Sequence, residues 1–289
     1  MHQERALAEL LDLLDVGPEP GRDDGEHFLG RPPLEQSSPV YGGLLAAQAL
    51  AAAGRTVTGE LPVHSVHCSF VRPGLPTSPF DHRVERVRTS ASFATRRVST
   101  AQRGREVFAL TASFHRPEPG LAHQDAMPDV PDPEGLPAYE ERLTEVFGEA
   151  VAPLGTPYET RFVGPLSFDA EKDPALASSR TRVWVRVKGE AADGQPLLHA
   201  CLLVYMCDVT MLETVAVRHG VSWFHATARS LDYTVWIHHP FRADDWLLCD
   251  HETPVASGGR GLVLGRVFTR GGLLVATLAQ EGLVRVSLG

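Results

Sequence analysis

Lysine is nearly missing from this 289-residue chain: Lys172 and Lys188 are the only two among 27 basic residues, and the net charge is −9. Proteins that hold nucleic acid or anionic membranes non-specifically do so with a cationic surface. The acidic balance argues against both, while leaving room for a local arginine cluster on an anionic ligand. Cysteine is scarce as well. The four present, Cys68, Cys201, Cys207 and Cys249, form no CxxC pair, so they read as reduced thiols of a cytosolic chain. No apolar run of membrane-spanning length stands out. The first residues, MHQERALAELLDLLD, read as an acidic amphipathic helix and not a signal peptide. The final VRVSLG carries no peroxisomal address.

Several catalytic signatures are missing too. There is no GxSxG elbow for a serine hydrolase triad. The thirteen histidines lack metal-ligand spacing, and His238 and His239, adjacent on a strand, would point to opposite faces. The glycine-rich SGGRGLVLGR at 257–266 runs into a strand and not a helix, which excludes a dinucleotide fingerprint.

What is present is patterned. Residues 1–20 read as a helix and 21–38 as a polar lead-in. YGGLLAAQALAAAG at 41–54 is apolar on every side, opened by Gly42-Gly43 and closed by Gly54, as a buried helix would be. Alternating Val, Phe and Thr predict antiparallel strands at 63–71, 80–88, 92–102 and 105–115, with a hairpin turn in QRGREV. Prolines then interrupt the pattern across 117–157, where one helix is predicted at 138–150. Strands are predicted again at 158–168, 180–188 and 195–206, a short helix at 208–218, and strands at 221–237, 245–254, 260–269 and 273–286. The order repeats. RRVSTAQRGREVFALTASF (96–114) matches LGRVFTRGGLLVATLAQEG (264–282) when Ala109 is set on Ala276. That alignment places Ser113 opposite Gln280 and no carboxylate opposite Asp208. The predicted fold is α+β: an N-terminal unit at 1–116, a proline-rich linker at 117–157 and a C-terminal unit at 158–289, each unit a helix packed on an antiparallel sheet.

Two polar residues stand out in apolar surroundings. Asp208 interrupts LLVYMCDVTML (202–212), where burying an ionised carboxylate needs partners. Read alone it is a helix N-cap, a site residue, or both. Gln280 lies in LVATLAQEGLV, and a buried amide also needs partners; an exposed strand face is the alternative.

The set VYGGLLAAQAL (40–50), VHSVHCSFVRPG (63–74), TASFHRPE (111–118), YMCDVTML (205–212), SLDYTVWIHHPF (230–241) and GLLVATLAQEGLVR (272–285) resembles the acyl-CoA thioesterase II family. The resemblance implies a double hot-dog fold, each half wrapping a sheet around one long helix, and hydrolysis of acyl-CoA to free acid and CoA without metal or organic cofactor. It implies that Asp208, Ser230 and Gln280 hold the attacking water. The sequence departs from the family at Tyr233, where many relatives carry His, and at Cys207, where Ser is common. Backbone N–H groups at Gly42 and Gly43 are candidate oxyanion donors. Arg260 is a candidate contact for a CoA phosphate; Arg88, Arg96 and Arg97 are weaker ones, each more simply read as a surface arginine. Acyl-CoA is the expected partner, with no nucleic acid and no membrane, and further pairing of copies through sheet edges or faces stays open. Two other functions compete: a hot-dog hydratase or dehydratase, and a non-catalytic acyl-CoA binding protein.

Overall fold

The computed structural model describes residues 2–19, 21, 26–33, 39–148 and 156–286. Parts of the predicted lead-in and linker, and the last three residues, lie outside the described residues. Helix α1 (His2–Leu14) precedes two short strands, β1 (Gly17–Pro18) and β2 (His27–Gly30). Helix α2 (Gly42–Arg55) follows, then β3 (Val63–Phe70), β4 (Phe80–Thr89), β5 (Phe93–Gln102) and β6 (Arg105–His115). The second half runs α3 (Tyr139–Phe147), β7 (Tyr158–Val163), α4 (Ser167–Lys172), β8 (Arg180–Val187), α5 (Pro196–Met211) and α6 (Glu213–His219). It closes with β9 (Ala226–Ile237), β10 (Leu247–Ser257), β11 (Arg260–Thr269) and β12 (Leu274–Val286).

Among the described residues all strands join one sheet in the order β1-β2-β4-β5-β6-β3-β9-β12-β11-β10-β8-β7, and every pairing is antiparallel. The order reads as the same arrangement from either end. The halves meet at β3 and β9, where Val66 faces Val235. Each half curls around one helix, and α2 and α5 pack against each other. This arrangement requires a helix that is apolar on every face. Helix α2 meets it with alanine: Ala46, Ala47, Ala49, Ala52 and Ala53 are all fully buried. Small side chains keep the helix backbone close to its neighbours. The hairpin predicted in QRGREV is a two-residue turn with Arg103 at φ 51° and Gly104 at φ 71°, flanked by the pair Gln102 and Arg105. Two successive positive φ values match the right-handed twist of the strands.

Several expectations need correction. Residues 195–206 are not a strand, and no helix begins at 208. A single helix, α5, runs from Pro196 to Met211. An apolar run of this kind has no periodicity to separate a buried strand from a buried helix; Pro196 at the first turn suits a helix start. Asp208 therefore lies in the last turn of α5 and is no N-cap. The 24-residue run Pro196–His219 is long and apolar enough by composition to cross a membrane, yet 89% of its most apolar stretch is buried inside this fold. Residues 158–168 divide into β7 and α4 in place of one strand. The alignment of the halves also shifts by one residue. Val66 pairs with Ala112 and Val235 with Leu278, so Phe114, not Ser113, corresponds to Gln280. A one-residue slip exchanges the faces of a strand. Ser113 accordingly bonds to His64 Nε2 at 2.8 Å, while Phe114 is buried in the core.

Arg96 is another. It is 1% exposed and not a surface arginine. Its Nε donates to Thr56 Oγ1 at 2.7 Å and its Nη2 to the Thr56 carbonyl at 3.0 Å. Its Nη1 donates to the Arg88 carbonyl at 2.7 Å. Thr56 is the C-cap of α2, where a cation complements the helix dipole. Replacing Arg96 by Leu strands these acceptors in the core. The expected loss is about 2–3 kcal/mol, read as a lower urea midpoint at unchanged slope; a loss under about 0.5 kcal/mol would contradict this role.

Candidate active site

Four elements bring their polar groups to one point. Helix α5 turns Asp208 inward, where it is 7% exposed. Strand β12 presents Gln280, which is fully buried. Strand β9 pairs Tyr233 with Gln280, Asp232 with Glu281 and Ser230 with Gly282, leaving Leu231 as an extra residue. This bulge resets the alternation of β9. Tyr233, Val235 and, beyond the bulge, Ser230 all face the helices, whereas an unbroken strand would turn Ser230 away. Bulges that redirect a side chain are common beside sites.

The result is a closed triangle. Ser230 Oγ donates to Asp208 Oδ1 at 3.0 Å. Gln280 Nε2 donates to the same Oδ1 at 2.6 Å and to Ser230 Oγ at 3.0 Å. The other oxygen, Oδ2, lies on the side of α2. A Cβ on Gly42 would stand 3.1 Å from Oδ2 and 2.7 Å from the ring of Phe70. The backbone N–H of Gly43 also favours the charged carboxylate. Helix α2 has no acidic residue in its own first turn, so Asp208 of the other half meets the positive end of its dipole. Burial pushes the Asp208 carboxyl above the ordinary aspartate range, against the pull of Ser230, Gln280 and Gly43. Neutral donors do not match the hydration the carboxylate gave up, and among the described residues no cation pairs with Asp208.

Two buried polar atoms near this triangle lack partners among the described residues, Gln280 Oε1 and the Tyr233 hydroxyl. Tyr233 is fully buried beside Cys207, Asp208 and Cys68, and burial raises its hydroxyl well above the ordinary tyrosine value. Cys207 Sγ lies 3.8 Å from Cys249 Sγ in the same core. Arg260 stands apart from the triangle. It is exposed and its Nε bonds to Glu281 Oε1 at 3.0 Å, on the face of β12 opposite Gln280. Arg97 pairs with Glu85 at 3.0 Å, and Arg88 lies 5.5 Å over the ring of Phe93.

The sequence profile of the acyl-CoA thioesterase N-terminal domain matches residues 31–115, and that of the C-terminal domain matches residues 124–284. Acyl-coenzyme A thioesterase 8 of Mus musculus is 37% identical over 91% of this chain and 84% of its own length. This chain belongs to the acyl-CoA thioesterase II family. Acyl-CoA thioesterase 2 of Haemophilus influenzae is 33% identical to it, over 86% of this chain and 88% of the relative. The crystal structure of an acyl-CoA thioesterase II from Mycobacterium marinum is 36% identical and superposes with a TM-score of 0.78, covering 97% of this chain and 99% of that one. A hot-dog protein from Alicyclobacillus acidocaldarius, 24% identical, superposes with a TM-score of 0.78 over 96% of this chain and 98% of that one. The fold of this thioesterase is the double hot-dog.

In this thioesterase the close approach of the halves depends on glycine at α2. A Cβ on Gly43 would fall 2.6 Å from the backbone oxygen of Tyr205, which cannot swing aside. Gly→Ala inside a helix ordinarily adds about 1 kcal/mol of stability. Gly43→Ala is expected to lower the melting temperature instead and to weaken activity by separating α2 from Asp208. A raised melting temperature in scanning calorimetry would show that the contact is not tight.

Proposed function

We propose that this protein hydrolyses acyl-CoA thioesters to free carboxylic acid and CoA, with Asp208 as general base and with Ser230 and Gln280 holding the water. The observation that carries this reading is the convergence of two side chains, from β9 and β12, on the one buried carboxylate of α5. A thioester carbonyl is electrophilic enough for direct attack by water. Asp208 takes a proton as the water oxygen bonds to the carbonyl carbon. The oxyanion then collapses, the C–S bond breaks, and the proton returns from Asp208 to the CoA sulfur. The Gly43 N–H is already turned to the Asp208 carboxylate, so the Gly42 N–H, at the start of α2, is the candidate donor for the oxyanion.

The hydratase reading has no support here: among the described residues no histidine bonds to Asp208. Acyl-CoA is the partner the reaction requires, and a net charge of −9 suits neither nucleic acid nor an anionic membrane. Four buried free cysteines fit a reducing cytoplasm.

Asp208→Asn keeps the shape of the side chain and removes the base, so kcat should fall at least about 10²-fold. Gln280→Ala should fall by a similar factor, about 10²-fold. Ser113→Ala, on the outer face, should stay within a few-fold. A folded Asp208→Asn enzyme with near-normal turnover would reject the base.

The pH dependence has a defined sign. Protonated Asp208 cannot accept a proton, so kcat/KM falls as acid protonates it. Burial raises its pKa, so the midpoint of the acid limb should lie above about 3.9, the value of an exposed aspartate. A midpoint at or below that value would contradict the assignment.

A further inference from the structure

We infer that the far end of a long acyl chain seats in a leucine-lined pocket beneath α1, and that Tyr41 and Tyr205 form the gate between that pocket and Asp208. This rests on the proposed hydrolysis and names its chain-length device. The pocket is a recess of about 150 Å³, partly open to solvent. Its walls include Leu10 and Leu13 of α1, Leu44 of α2, Pro157, Tyr41 and Tyr205, and the one charged lining residue, Glu9, is exposed at the rim. A recess this small, walled largely by leucine, proline and tyrosine side chains, has room for a hydrocarbon tail and not for the charged CoA moiety.

The pocket and the carboxylate share a wall. Tyr41 immediately precedes Gly42, whose backbone flanks Asp208 Oδ2. Tyr205 lies three residues before Asp208 on α5, about 4.5 Å along the axis. Tyr41 donates its hydroxyl hydrogen to the Tyr205 carbonyl at 2.6 Å. The two rings meet edge to face at 5.1 Å, and Tyr158 meets Tyr205 edge to face at 6.0 Å. Burial raises the Tyr41 hydroxyl well above the ordinary tyrosine value, and the Asp208 charge adds to the shift, so the phenol and the carboxylate share one low-dielectric region. A short acyl group reaching Asp208 stops at this wall. A longer one has to displace the Tyr41 hydroxyl from the Tyr205 carbonyl, and behind it finds leucine side chains under an amphipathic roof. Leu7, Leu10 and Leu14 anchor that roof in the core, while Ala6 and Leu13 line or border the free space.

The test is a panel of saturated acyl-CoAs from short to long, read as kcat/KM by release of the CoA thiol. Ala6→Trp fills the pocket from the partly exposed side of α1. It should leave short chains unchanged and lower long chains at least tenfold, at about fourfold for each methylene that loses its apolar contact. Tyr41→Phe removes the tie to Tyr205 at constant ring size and should raise long chains relative to short ones. Wild-type enzyme that releases CoA from no member of the panel would overturn the hydrolysis reading itself. If the wild type is active, an Ala6→Trp profile that parallels it at every length overturns this inference alone, and so does an unchanged Tyr41→Phe profile.

Discussion

Asp208 is an ionisable group placed in an apolar core with no cation against it among the described residues, and much of the surrounding architecture answers to that placement. Two neutral side-chain donors and a helix N-terminus stand in for the water it gave up, and they do so incompletely, which is why its pKa rises. A base with a raised pKa is a stronger proton acceptor once ionised. Each supporting feature has a separate structural origin. The bulge at Leu231 aims Ser230, the pairing of β12 with β9 sets Gln280 across from Tyr233, and glycines at the start of α2 let the other half approach.

The duplication gives this arrangement one carboxylate. In the first half Phe114 occupies the strand position that Gln280 holds in the second. The first half therefore supplies the end of a helix, the ring of Phe70 and the wall at Tyr41, while the second supplies Asp208, Ser230 and Gln280, the side chains proposed to hold the water. The continuous sheet through β3 and β9 fixes the two contributions relative to each other, so that α2 and α5 meet with their site residues aligned. A site divided in this way depends on both halves, although its polar side chains come from one.

Much of the sheet was legible because alternation and turn residues are local signals. Strands β6 and β11 begin and end at the predicted residues, and the Arg103-Gly104 turn follows from its sequence. Helix α2 was legible through its glycines and alanines. Helix α5 was not, because a segment buried on all sides loses the periodicity that separates helix from strand. Asp208 and Gln280 drew notice as polar residues in apolar runs; Ser230 did not, since its inward direction comes from a bulge visible only once β9 is paired with β12. Ser113 was set opposite Gln280 because repeats aligned by composition tolerate a slip of one residue that strand pairing forbids. Arg96 was missed for a related reason: its partners, Thr56 and Arg88, belong to other elements, and nothing in its own neighbourhood marks it as buried.

The central claim is that one buried carboxylate between the halves makes one catalytic site. Calorimetric titration of the wild-type protein with a hydrolysis-resistant acyl-CoA analogue, its sulfur bridge replaced by methylene, counts the sites directly. One analogue bound per chain is the predicted result. Two equivalent analogues per chain would contradict it, because the first half would then hold a site of its own without Asp208.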